Sequence, residues 1–170
     1  MATIRRAGIE DAPSIARVQV ESWKTTYAGI VPDSYLASLS AQSRTHNWRE
    51  QLSREAATIL VAEDEMGVFG FVCGGKLRDP IDGYDGELYA IYLLEEKQKR
   101  GVGKALTRQL ASALYERGFR SLIVWVLARN PAVEFYRHLG AQNVSTKQIE
   151  IGGVQLTELA FGWRSLRLLL

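Results

Sequence analysis

The stretch Gln98-Lys-Arg-Gly-Val-Gly-Lys104 concentrates the residue types that hold an anion. Gly101 and Gly103 let the backbone turn tightly and come close to a ligand. The first free N–H groups of a helix starting there favour negative charge. Five basic residues and no acidic one lie between Lys97 and Arg108. A di- or polyphosphate is the natural guest. Spacing excludes two nucleotide readings. A Walker A loop needs a glycine where Gln98 stands, and a hydroxyl for magnesium where Ala105 stands. A dinucleotide fingerprint needs a third glycine at the position of Leu106. Taken alone, the same residues also fit a closely packed helix start with a solvated basic face.

The elements around this turn follow from hydrophobic period. Glu87 to Leu94 alternates as a strand, with Glu87, Tyr89, Ile91 and Leu93 on one face and Leu88, Ala90, Tyr92 and Leu94 on the other. Beyond the turn, Val102, Leu106, Leu110, Ala113 and Leu114 keep the 3.6-residue period of a helix that Gly118 stops. Ser121 to Leu127 is an unbroken apolar run, the mark of a central strand covered on both faces. Strand, helix and second buried strand make a right-handed βαβ unit. A short helix spans Pro131 to His138, and two last strands, Gln142–Ile151 and Val154–Trp163, meet at the hairpin signal Gly152-Gly153.

The first half is less regular. Thr3–Arg6 reads as a brief edge strand, and Asp11 before Pro13 starts a helix with Ile15, Val18 and Ser22 on one face. Trp23 to Val31 interrupts that pattern, and further helices cover the stretch from Pro32-Asp33 and residues 42–52. Thr58–Ala62 and Val68–Cys73 form a hairpin, with Gly74-Gly75 weakening or bulging the second strand. The architecture expected is α/β (α+β): a mixed, mostly antiparallel central sheet with helices on both faces.

Composition bounds the rest. At 170 residues the chain fits a single domain, 1–170. It is 46% hydrophobic and 24% charged, which excludes a disordered, collagen-like or disulfide-stapled chain. The net charge of +2 is too small to argue for nucleic acid. It also hides an asymmetry: the turn holds five basic residues, leaving sixteen basic against nineteen acidic elsewhere. Cys73 has no cysteine to pair with, and with two histidines it offers no ground for a metal site. The longest apolar run, Leu122–Ala128, is too short to span a membrane, and the start lacks a signal-peptide stretch. A cytoplasmic location is expected.

Gln98-x-x-Gly101-x-Gly103, after a strand and opening a helix, resembles the acetyl-CoA pyrophosphate loop of the GNAT acetyltransferase superfamily. Asn130-Pro-Ala-Val-Glu-Phe-Tyr-Arg-His-Leu-Gly140 is similar to that family's Asn-x-x-Ala-x-x-x-Tyr-x-x-x-Gly segment, and the order of elements also matches. Trp23-x-x-x-Tyr27-x-Gly29-Ile-Val-Pro32-x-x-Tyr35-Leu36 resembles the N-terminal region of many bacterial members. Departures are modest: Leu93-Leu94-Glu95 replaces a common valine–any–proline, Lys97 and Lys99 replace an aromatic and a glycine, and Ala141 replaces a phenylalanine.

The resemblance implies acetyl transfer from acetyl-CoA, as co-substrate, to an amine by direct attack. It assigns cofactor binding to the backbone of Ile91, Tyr92 and Leu93, to the loop Gln98, Lys99, Arg100, Gly101, Val102, Gly103 and Lys104, and to Asn130. The strands Glu87–Leu94 and Ser121–Leu127 would part at one end to admit the pantetheine arm. One exposed N–H would polarise the thioester carbonyl. A lysine-like amine, with a reference pKa of about 10.4, needs a base more than an α-amine at about 7.8 does. Glu87, eleven residues before Gln98, takes the base role through water; a solvated strand start or a substrate-cation anchor is its plain alternative. Tyr136 protonates the departing thiolate, against the plain reading of a core tyrosine beside Phe135.

Other residues take plain readings. His138 is a helix-end residue, His46 a lone polar one, and Cys73 buried and inert. Trp23, Tyr27 and Tyr35 either wall the acceptor pocket or belong to the core. The apolar tail Leu166-Arg-Leu-Leu-Leu170 either covers the last strand or forms a homodimer contact. The acceptor implied is a small-molecule or peptide amine, with no nucleic acid or membrane partner. A non-catalytic acyl-CoA-binding module is the alternative function.

Overall fold

The computed structural model describes all residues, 1–170. Seven strands form one sheet: β1 Thr3–Arg6, β2 Thr58–Asp64, β3 Gly67–Lys76, β4 Gly86–Leu93, β5 Leu122–Leu127, β6 Gln142–Ile151 and β7 Val154–Trp163. Their spatial order is β1-β2-β3-β4-β5-β7-β6, and every pair is antiparallel except β4–β5. The helices are α1 Ala12–Thr26, α2 Asp33–Ser38, α3 Ala41–Arg54, α4 Val102–Glu116 and α5 Ala132–His138. Trp48 of α3 meets Phe71 of β3 edge-on at 5.1 Å, and Phe71 in turn meets Tyr92 of β4, so α1 and α3 cover that face. Val72 and Leu88 belong to the opposite side, where Leu106, Leu110 and Leu114 of α4 are wholly buried. The mixed, mostly antiparallel sheet with helices on both faces matches the architecture read from the sequence.

The βαβ unit β4–α4–β5 is parallel, as its two strands and intervening helix require. Helix α4 ends where Gly118 turns left-handed at φ 100°, and Phe119 N–H closes back on Leu114 O at 3.0 Å. The β6–β7 hairpin turns through Gly152 and Gly153, both at positive φ, so the two-residue loop follows the strand twist. Two expectations need correction. Helix α1 continues through Trp23 to Thr26, because Trp23 and Tyr27 find partners and do not break the period. Strand β3 also runs on through Gly74-Gly75 to Lys76.

The simple alternation expected of β4 is also wrong. The β3–β4 register jumps from Cys73↔Ala90 to Gly74↔Leu88, leaving Tyr89 as the extra residue of a bulge. The faces therefore switch: Glu87 shares a side with Ala90 and Tyr92, not with Ile91 and Leu93. Gly74 permits the bulge, since a Cβ there would sit 2.6 Å from Glu87 O. Part of the apolar tail packs within the chain. Leu166 and Leu169 are buried in the main core, while Leu168 and Leu170 remain exposed. No helix is long and apolar enough to cross a membrane.

Candidate active site

The site begins where two strands separate. Strands β4 and β5 pair only at Gly86↔Leu122, Glu87↔Ile123 and Leu88↔Val124. A bulge bends and over-twists the strand that carries it, and Tyr89 follows directly after the last of these pairs. From there β4 runs on to Leu93 without a partner on the β5 side. Leu94 N–H donates to Phe69 O on β3, so strand alternation turns the N–H and C=O of Leu93 and Ile91 toward the gap. Tyr92 presents its backbone to β3 instead and contributes its side chain to the cavity. Of the three residues assigned to the pantetheine contact, Ile91 turns both backbone groups there and Leu93 its N–H, since the Leu93 carbonyl already accepts from Ser22 and Gln98.

The anion turn stands at the end of the same strand. Lys99 and Gly101 adopt left-handed φ values of 61° and 84°, a geometry that gathers neighbouring N–H groups into a concave nest. The first bond of α4 runs from Ala105 N–H to Gly101 O at 3.1 Å, which leaves the N–H groups of Val102, Gly103 and Lys104 at an open helix end. Gln98 braces the turn: its amide donates to Leu93 O at 3.0 Å. Lys99, Arg100, Lys104 and Arg108 are exposed around it. Lys97 is not free, because its ammonium lies 2.7 Å from Asp64 and 5.2 Å above the Phe69 ring. Four of the five basic residues thus remain for an anion.

Between the separating strands lies a cavity of about 390 Å³, and both Glu87 and Tyr136 line it. Its first half is neutral. Tyr136, only 4% exposed, packs edge-on to Phe135 and Trp163, and its hydroxyl has no hydrogen-bond partner in the protein. Burial, with a smaller contribution from Tyr27, pushes that hydroxyl's pKa well above the usual tyrosine value. The Tyr27 and Tyr92 hydroxyls stand 3.3 Å apart, and burial raises both. Asn130 donates to the Tyr27 hydroxyl at 3.4 Å and accepts from Ala132 N–H, at the start of α5, at 2.9 Å. All three phenols stay protonated at neutral pH.

The second half is charged. Glu87 is 1% exposed, and its carboxylate accepts from Arg78 N–H at 3.0 Å and from two guanidinium N–H groups of Arg78. The Arg78 guanidinium also lies 4.9 Å from the Tyr89 ring centroid. Glu158, on β7 opposite Leu127, faces the same space, and burial raises its carboxyl while Lys147 opposes that rise. Sequence reading missed Arg78, Lys147 and Glu158. One signal was available: Glu158 is the lone ionisable residue between Val154 and Trp163. Trp23 and Tyr27 line the cavity and also pack on each other at 4.5 Å, so wall and core are the same residues. Cys73 is buried, which pushes its thiol up to about 12 and leaves it inert. His138 Nδ1 lies 2.7 Å from Glu134 O on the exposed side of α5, away from the cavity lining. No group of three or more histidine, cysteine, aspartate or glutamate side chains is arranged to hold a metal ion.

A parallel strand pair opens at a bulge, with a nest of amides at the end of one strand. Comparison with known proteins gives the class its name. The profile of the Acetyltransferase (GNAT) family matches residues 20–141, and the chain belongs to that family. It is similar to "Uncharacterized N-acetyltransferase YuaI" of Bacillus subtilis, with 46% identity over 98% of this chain and 95% of that one. It is 26% identical to the spermidine N(1)-acetyltransferase of Thermoplasma acidophilum, over 75% of this chain and 79% of the relative. The fold also matches the PaiA N-acetyltransferase of Thermoplasma acidophilum solved in complex with coenzyme A. The TM-score is 0.70 at 24% identity, over 93% of this chain and 98% of the other.

Proposed function

We propose that the protein transfers an acetyl group from acetyl-CoA to a primary amine by direct attack. Acetyl-CoA would lay its pyrophosphate on the nest at Lys99–Lys104 and its pantetheine arm along the open edge of β4. The Ile91 or Leu93 N–H would polarise the thioester carbonyl. The amine nitrogen then bonds to the carbonyl carbon, the C–S bond breaks, and the thiolate takes a proton from Tyr136. The surplus proton of the attacking nitrogen replenishes Tyr136, and the proton lost from the original ammonium leaves through water to a carboxylate. The observation that carries this reading is the place of Tyr136: a residue only 4% exposed, its hydroxyl without a partner in the protein, lining the same cavity as the carboxylates.

Glu87 is the proton acceptor in this proposal, acting through water. Its Oε1 accepts one N–H and keeps a lone pair free. A second reading is favoured by the three donors on Glu87, which commit most of its capacity to Arg78. In that reading Glu158 takes the proton and Glu87 with Arg78 forms a fixed wall. The pH profile separates them. If Glu158 acts, the acid limb of kcat/KM lies above the ordinary carboxylate range, and Glu158→Gln removes it while Glu87→Gln leaves it in place. The overall proposal is tested by CoA-thiol release from acetyl-CoA against amino acids, peptides, polyamines and aminoglycosides. Tight acetyl-CoA binding without turnover on any amine would favour the non-catalytic binding module.

A further inference from the structure

The charged half of the cavity holds one feature that acetyl transfer does not use. Lys147 lies on β6 directly opposite Glu158 of β7, and its side chain folds into the cavity. The ammonium sits 4.0 Å from the Trp125 ring centroid, 3.6 Å from Glu158 Oε1 and 3.8 Å from Asp79 Oδ2. An aromatic face with two carboxylates around one nitrogen is the set of partners that recognises an alkylammonium ion. The protein therefore contains a site for an organic cation and fills it with its own side chain. A tethered group competes at an effective concentration on the order of millimolar or above, and the hairpin register holds Lys147 at this position before any ligand arrives.

The charge balance gives this plug a consequence. The ionisable groups of the charged half are Arg78 and Lys147 against Asp79, Glu87 and Glu158, a net charge of −1. That complements one incoming ammonium. Removing Lys147 would leave −2 and an empty cation site lined by Trp125.

We infer that Lys147 is a specificity-determining residue: its ammonium takes the place of a second substrate cation, so the cavity selects acceptors with one positive charge over diamines and polyamines. This rests on the proposed transfer to an amine and narrows its substrate class. Lys147 is a positioning and excluding group, not a proton-transfer group. A diamine must displace Lys147 from three partners to seat its distal ammonium, and a monoamine displaces nothing.

The test compares n-butylamine with 1,4-diaminobutane as acceptors for the full chain and for Lys147→Met and Lys147→Arg. The wild type should prefer the monoamine. In Lys147→Met the diamine-to-monoamine ratio of kcat/KM should rise at least tenfold, and Trp125→Leu added to it should cancel most of the gain. Lys147→Arg, which keeps the charge, should retain the wild-type ratio. Calorimetric titration with 1,4-diaminobutane should show binding to Lys147→Met that the wild type lacks. An unchanged ratio in Lys147→Met, or a wild type that already prefers the diamine, would overturn the inference. If no amine supports CoA release in the wild type, the transfer reading fails, and the titration still judges the cation site.

Discussion

The two ends of β4 carry different kinds of chemistry. At its start, Glu87 is held by Arg78, and the surrounding groups that matter are side chains from β5, β6, β7 and the loop after β3. At its end the chain passes into a turn that presents backbone N–H donors, set by two left-handed residues and an open helix. One end is assembled from distant sequence, with Arg78 and Glu158 eighty positions apart. The other is contiguous. The physical difference is what each tolerates. A backbone site depends on φ and ψ and little on which side chains surround it, whereas a side-chain site is destroyed by one substitution and left intact by modest backbone strain. A cofactor shared by a whole class of reactions suits the first design, and a variable acceptor suits the second.

The sharpest break in this comparison comes from Tyr136→Phe, which removes an atom from the side-chain site alone. The fold should hold, because the hydroxyl bonds nothing in the protein and the ring packing is unchanged. We expect kcat to fall by about 10- to 100-fold, at the low end of general acid catalysis because a thiolate is a tolerable leaving group. Acetyl-CoA affinity, measured by calorimetry, should stay within error. The pH dependence follows from the direction of the Tyr136 shift. Burial favours the neutral phenol, so the proton donor is present at every pH below its raised pKa and is lost only above the ordinary value of 10. The wild-type kcat should therefore show no alkaline decline up to pH 10. A decline centred well below that would remove Tyr136 as the donor.

Gly101→Val is the reciprocal break. A Cβ at Gly101 meets nothing within 4 Å, so the cost is conformational: φ is 84°, in the left-handed region. That region costs a side-chain-bearing residue about 1–2 kcal/mol, and a β-branched one more. If the turn relaxes to avoid the strain, the nest opens, and acetyl-CoA Kd should rise by about 5- to 30-fold with little change in kcat at saturation. Substitution at Gly103 differs in sign for stability. Its Cβ would make only ordinary contacts, at 3.5 Å from Phe135 and 3.6 Å from Leu93. Gly103→Ala in the first turn of α4 should raise stability, by up to about 1 kcal/mol, while weakening acetyl-CoA where the backbone must lie closest to it. Thermal denaturation and calorimetry on one sample separate the two effects.

What could be read in advance follows the same division. The turn at Gln98–Lys104, the helix behind it and the buried strand Leu122–Leu127 were all legible, because their signals are local: glycine spacing, a 3.6-residue period, an unbroken apolar run. The resemblance brought Glu87 and Tyr136 into view, and the structure places both on one cavity. The bulge at Tyr89 was half visible. Gly74-Gly75 announced an irregularity, but its extra residue lies on the partner strand, and only the register shows that. Arg78, Lys147 and Glu158 were hidden for a different reason. Each lies in a loop or edge hairpin whose side-chain directions depend on strand pairing, and a charged residue on such a strand reads by default as a solvated one.

The smallest predicted effects test the charges of the turn itself, where local composition gives the wrong count. Lys97 and Lys99 are two residues apart and look equivalent in sequence. The Lys97 ammonium is already committed to Asp64 and Phe69, whereas Lys99 is exposed. Replacing Lys99 or Arg100 by methionine removes an exposed positive charge near a phosphate, an interaction that water and salt weaken; we expect acetyl-CoA Kd to rise by about 2- to 5-fold at low salt and less at 0.5 M. Lys97→Met should leave Kd unchanged and lower the melting temperature slightly, because it breaks a contact between the turn and β2. Equal losses of affinity at Lys97 and Lys99 would mean that the turn binds as a diffuse basic patch. An effect confined to Lys99 and Arg100, and still smaller than that of Gly101→Val, would mean that the backbone carries the site and the exposed side chains only tune it.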